Sequence, residues 1–159
     1  MKHTKNIKRR RRGGTRKQIG DKLGGKGKRV NQEQFDKLIK KMIELITLLR
    51  LYHWNTLSYA THVATGDIYD GLSDKVDEYV ETMIGKSDGK YRINMSHYKK
   101  LIINGVSNNN EMEKTIKSFI NELTNFHSAL PSTFYSDINN IKDEIIGKLN
   151  KYLYLLTLK

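Results

Sequence analysis

The chain has 159 residues, with 29 lysines and arginines against 17 aspartates and glutamates, one proline and no cysteine. That length suits one domain with a modest core, and the missing cysteine excludes disulfide scaffolds, thiolate metal sites and cysteine nucleophiles together. No apolar run approaches the roughly 18 residues that span a bilayer, and no apolar stretch follows the basic N-terminus as in a secretory signal, so no membrane partner and an intracellular or viral setting are expected.

The charge is concentrated at one end. Residues 1–30 hold thirteen of the basic side chains, among them Lys8, Arg9, Arg10, Arg11, Arg12, Arg16 and Lys17, and only one acid, Asp21. This arm carries the whole net charge of +12, and residues 31–159 balance to neutrality. Rich in glycine, with Ile7, Ile19, Leu23 and Val30 as its larger aliphatics, it buries too little apolar surface to offset its ordering entropy. Composition therefore predicts a disordered arm that meets polyanions. Each phosphate it neutralises releases counterions, which gives sequence-independent affinity for DNA. No aromatic interleaves the cations, so base stacking is not indicated. The Lys8–Arg12 run would also serve nuclear import, an acidic membrane or an acidic protein.

From Asn31 the pattern becomes helical. Phe35, Leu38, Ile39, Met42, Ile43, Ile46 and Leu49 recur at three- and four-residue steps and predict a first helix to about Leu57. Tyr69, Leu72, Val76, Val80 and Met83 mark a second over 61–84, with Gly85 as its stop. Residues 86–110 read as a crossover with one short helix. Met112, Ile116, Phe119, Ile120, Leu123 and Phe126 predict a third helix over 110–130, which Pro131 ends. Ser132 or Thr133 would cap a fourth running to about Leu158, with Ile138, Ile141, Ile145, Leu149, Tyr152 and Leu156 inward. Four amphipathic helices with one long middle connection give an all-α chain that resembles a ferritin-like four-helix bundle over residues 31–159.

Five residues stand out for chemistry: His53 at the end of the first helix, then His62, Asp67, Asp77 and Glu81 on the second. Asp77 and Glu81 lie one turn apart, so their carboxylates share a patch. His62 and Asp77 are fifteen residues apart, nearly on one side of the helix, yet the rise separates them by roughly 22 Å. They cannot hold one metal within a single chain. If the second helix packs antiparallel against its copy, His62 of one chain meets Asp77 and Glu81 of the other, and a two-fold axis generates two such sites. Mixed imidazole and carboxylate ligands with open positions suit Fe(II).

The run Tyr52-His53-Trp54-Asn55, then His62, then Ile68-Tyr69-Asp70, then Val76-Asp77-Glu78-Tyr79-Val80-Glu81 resembles the Dps-like miniferritins of the ferritin-like superfamily. The strong part covers about Phe35–Gly85, and the aromatic-rich end of the last helix adds weaker support. The resemblance implies a hollow dodecamer built from two-fold dimers. An iron site at each two-fold interface, dinuclear or mononuclear, would oxidise Fe(II) with peroxide or oxygen and feed a stored mineral. His53 and His62 would come from one subunit and Asp77 and Glu81 from its mate, as metal ligands and catalytic groups, with Asp67 nearby. It also implies compaction of DNA by basic tails.

Two departures from the family pattern bear on activity. The loop between the histidines is shorter, and Gly66 stands where the family carries an acidic ligand four residues after the second histidine. Asp67, next door, points about 100° away on a regular helix. Two functions follow from the sequence. One is a ferroxidase that stores iron and binds DNA through its arm. The other is a catalytically inactive ferritin-like protein that packages DNA. His97 and His127 lack partners at ligand spacing and are assigned to structure. The lysine-, asparagine- and isoleucine-heavy composition looks like that of a large AT-rich DNA virus, and a nucleoid, virion or nucleus is the expected location.

Overall fold

The structure, a computed structural model, describes residues 32–87 and 91–158. The basic arm, with Lys8, Arg9, Arg10, Arg11, Arg12, Arg16 and Lys17, lies outside the described residues. Four helices carry the fold: α1 (Gln32–Asn55), α2 (Tyr59–Lys86), α3 (Asn109–Ser128) and α4 (Ser136–Leu155), with a short 3-10 turn at Met95–Tyr98 and no strand among the described residues.

Polar ties at the helix ends fix their directions. Tyr52, near the end of α1, donates its hydroxyl to Asn109 Oδ1 at the start of α3 (2.6 Å), and Asn109 Nδ2 donates to the Leu156 carbonyl just past α4 (3.2 Å). At the opposite end Lys86, closing α2, pairs with Asp137 in the first turn of α4 (2.6 Å). Thus α1 and α4 run one way, α2 and α3 the other. Helix α2 packs on α1 and α4, and α3 packs on α4 and more lightly on α1. Their inward faces form one core, with Phe35, Met42 and Leu49 from α1, Leu72, Tyr79 and Met83 from α2, Met112, Ile116 and Leu123 from α3, and Ile138, Ile145 and Leu149 from α4.

Because α2 and α3 run in the same direction, the chain between them must travel back along the bundle. It climbs beside α1. Gln32 donates its side-chain amide to the Arg92 carbonyl (2.7 Å), His97 and Tyr98 reach Asp36, and the Ile102 amide donates to Glu44 Oε1 (2.9 Å). Asp36 is 1 % exposed. His97 Nδ1 approaches its Oδ2 at 2.9 Å, and the Tyr98 hydroxyl donates to its Oδ1 (3.3 Å) and its carbonyl (3.2 Å). Burial, and then the Asp36 charge, push the Tyr98 hydroxyl far above its ordinary range, so it stays a donor. The crossover thereby gives α1 a second buried side holding Asp36 and Glu44, which a one-stripe reading of the helix leaves outside.

The caps follow sequence chemistry with two exceptions. Ser58 caps α2, accepting from the Thr61 amide, and Asn108 caps α3, accepting from the Glu111 amide (3.0 Å). Neither Ser132 nor Thr133 caps α4. Those residues form a separate turn in which the Tyr135 amide donates to the Pro131 carbonyl (3.1 Å), and the helix starts at Ser136 behind buried Tyr135, without a side-chain cap. Gly85 does not end α2 either. The helix runs on to Lys86, where Ser87 turns its amide back onto the Met83 and Ile84 carbonyls (3.2 Å each).

Candidate functional site

The three-residue loop Thr56–Ser58 folds α2 back against α1 and brings His53 beside His62. Their rings stack with centroids 3.8 Å apart. His53 Nδ1 lies 2.7 Å from the His62 carbonyl, and His62 Nδ1 lies 3.0 Å from the His53 carbonyl. A carbonyl oxygen only accepts, so each Nδ1 carries a proton, and in the neutral ring it is Nε2 that holds the lone pair. Neither Nε2 has a protein partner among the described residues. Anchoring Nδ1–H on a backbone carbonyl is the arrangement that orients an imidazole as a metal ligand through Nε2. It also fastens the helix corner, because the His53 carbonyl lies in the last turn of α1 and has no partner further along the helix.

Around the pair, Tyr69 meets the His53 ring edge-on at 5.4 Å, and Arg50 lays its guanidinium over Tyr69 at 5.0 Å. His62 is exposed and His53 half-buried. Gly66 explains how the rings fit. A Cβ built there would sit 3.2 Å from His53 Cε1 and 3.4 Å from Nδ1. The position that reads in sequence as a missing acidic ligand is thus the floor on which the His53 ring rests. Gly66→Ala supports this if it perturbs the ring without unfolding the helix. The methyl adds about 1 kcal/mol of helix propensity and takes away a similar amount by stretching the His53 bond. Stability should stay within about 1 kcal/mol, while the His53 Cε1–H proton resonance shifts and those of His97 and His127 do not.

The carboxylates do not join the histidines. Helix α2 is regular through Gly66, without a bulge, so Asp67 turns away from His62 to solvent. Asp77 and Glu81 are exposed on the same helix, about 22 Å and 28 Å further along its axis. Among the described residues no group of three or more histidine, aspartate or glutamate side chains is placed to hold a metal ion. Of the five residues singled out by sequence, the structure therefore brings two together.

The other two histidines among the described residues, His97 and His127, sit in polar ties, in keeping with the role that spacing assigns them. His97 holds Asp36, and His127 is buried between Tyr79 (hydroxyl to Nε2, 2.8 Å) and Asn139 (Nδ1 to Oδ1, 2.8 Å). Local spacing carries no mark of Asp36, whose partner His97 lies 61 residues away. No helix among the described residues is long and apolar enough to cross a membrane.

Comparison with known proteins adds lineage. The model of a family of unknown function, DUF5856, matches residues 53–156, from His53 through the end of α4, leaving out the arm and most of α1. An uncharacterized 14.6 kDa protein of the mobD-ri intergenic region of Enterobacteria phage T4 is 28 % identical over 107 residues, covering 67 % of this chain and 75 % of that one. No solved structure matches the chain.

Proposed function

The chain belongs to the DUF5856 family, a family of unknown function, and from that premise we propose that it is a ferritin-like bundle that holds DNA through its basic arm and, as a single chain, does not turn over iron. The ferritin-like reading is supported by the path of the chain. A long connection along α1 lets α2 and α3 run the same way, a pattern that separates these bundles from simple up-and-down ones. The observation that carries the DNA reading is the split of charge, +12 on residues 1–30 against a neutral remainder. A phosphate backbone would be met by the arm alone. The phage relative and the lysine- and asparagine-rich composition support a viral protein working beside its genome, in a virion or nucleoid. The test is duplex binding by the full chain across a salt series. Affinity should fall steeply with salt and hardly depend on sequence, and a salt-independent interaction would end the proposal.

A second reading is favoured by the two anchored imidazoles. With their Nε2 lone pairs uncommitted, His53 and His62 would take Fe(II) as substrate if a second copy brought Asp77 and Glu81 across a two-fold axis, within a dodecameric shell. The exposed apolar corner of Trp54, Leu57 and Tyr59 beside them suits contact with a copy. Against it stands the middle of the outer face of α2, where Asp67, Asp70 and Asp74 would meet the same carboxylates of the copy across that axis. We expect peroxide to oxidise Fe(II) no faster with the protein than in buffer. Faster oxidation that disappears in His62→Ala/Glu81→Ala would establish the second reading instead.

A further inference from the structure

The outer face of α2 has no neighbour among the described helices. Asp67, Asp70, Asp74, Asp77, Glu78 and Glu81 are all exposed. Recurring at three- and four-residue steps, they fall within a sector of about 100° and run about 21 Å along the axis. Lys75 is committed to Glu78 and Glu144. Among the described residues the other five carboxylates have no ion-pair partner. Toward α1 this face borders an apolar groove of about 320 Å³, lined by Ile39, Ile43, Val80, Ile93, Met95 and Leu101, with Asp77 also on its wall.

The complement lies at the start of the chain. Residues 1–30 carry +12 and place Ile19, Leu23 and Val30 among their cations. They join the bundle beside Gln32, whose side chain holds the Arg92 backbone through both its amide nitrogen (2.7 Å) and its oxygen (3.3 Å). Arg92 adjoins Ile93 in the groove, so the tether starts at the groove's edge. Thirty residues reach up to about 100 Å, several times the length of the acidic face. A tether of this kind presents the arm at an effective concentration in the millimolar range.

We propose that, without nucleic acid, the arm lies along the α2 face of its own chain, its lysines and arginines against Asp67–Glu81 and its aliphatics in the groove, and that DNA competes for it. The contacts are surface ion pairs, individually weak and screened over about 10 Å at 0.1 M salt. A DNA backbone, with a phosphate charge every 1.7 Å or so of its axis, displaces the face and frees it. The arm is then both the DNA ligand and the cover of α2.

Carbodiimide coupling tests the docking on the full chain. The reagent joins a lysine amine to a touching carboxylate as an amide, with loss of water. At low salt without DNA, links from Lys17, Lys22, Lys26 or Lys28 to Asp67, Asp70, Asp74 or Asp77 are expected, and they should vanish in 0.5 M salt or excess duplex. In a mixture of 15N-labelled and unlabelled chains each link should join peptides of one isotope. Absent links, links spread evenly over Glu113, Glu122 and Asp143, or mixed-isotope links would overturn it. These links are read without DNA, so they stand or fall apart from the DNA reading. Competition is tested with D67N/D70N/D74N, which should bind duplex about tenfold more tightly at low salt if the arm is docked nine-tenths of the time. Unchanged or weaker binding would refute the competition.

Discussion

Replacing Arg9, Arg10, Arg11 and Arg12 with alanine in the full chain should weaken duplex binding by roughly a hundred- to a thousandfold at 0.1 M salt. Each phosphate neutralised contributes about −0.9 to the slope of log affinity against log salt, so four lost contacts would flatten that slope by about 3 to 4. The lower end applies if Arg16, Lys17 and the neighbouring lysines slide into the vacated phosphates. Residues 31–159 offer little compensation. They are neutral in sum, and the exposed side of α2 is negative. Fluorescence anisotropy with two unrelated duplexes, each titrated from 50 to 300 mM salt, reads both quantities. Parallel loss on the two duplexes with a shallower slope is the signature of backbone contact. An unchanged slope would mean that the arginine run serves another polyanion or an import receptor.

How much of this was legible beforehand depended on the range of the interactions. The buried stripe of α4, from Ile138 through Leu149 to Tyr152, with Leu156 just past the helix, follows from three- and four-residue spacing and is buried as expected. The same holds for Phe35, Met42 and Leu49 on α1. Local periodicity carries such information because one neighbouring face suffices to hide it. It failed where burial comes from a distant segment. Nothing in the spacing marks Asp36, because His97 and Tyr98, which cover it, lie 61 and 62 residues away. Gly66 reads as a lost ligand until His53, thirteen residues earlier, is found resting on it. Ser132 and Thr133 have the chemistry of caps, but α4 starts only at Ser136, because Tyr135 is what enters the core. Among the site residues, proximity of His53 and His62 needed only a short loop. The role of Asp77 and Glu81 depends on what covers α2, which spacing alone does not specify.

His127→Leu should cost about 2 to 3 kcal/mol, chiefly because it strands the Tyr79 hydroxyl inside the bundle. Tyr79 is fully buried, and burial pushes its hydroxyl far above the ordinary range, so it remains a donor. It donates to His127 Nε2, and His127 Nδ1–H donates to Asn139 Oδ1. The chain of bonds ties α2 to the end of α3 and the first turn of α4, and it requires a neutral imidazole. Desolvation accordingly holds the His127 pKa below its usual value, outweighing the opposing hydrogen bond to Asn139. The sign of the pH effect follows. Below about pH 6.5 the unfolded chain takes up a proton at this site that the folded chain refuses. The stability contributed by neutral His127 is therefore complete above that pH and is lost as pH falls toward the depressed folded-state pKa. Urea unfolding at pH 7.5, 6.5 and 5.5 should show wild type losing stability over this window and His127→Leu losing less. Tyr79→Phe should cost about 1 to 2 kcal/mol alone. Combined with His127→Leu it should add little, because no polar atom is then left without a partner at the α2–α3 contact. Additive costs, or an unchanged acid limb in His127→Leu, would mean that the two rings only pack and that the bond between them contributes nothing.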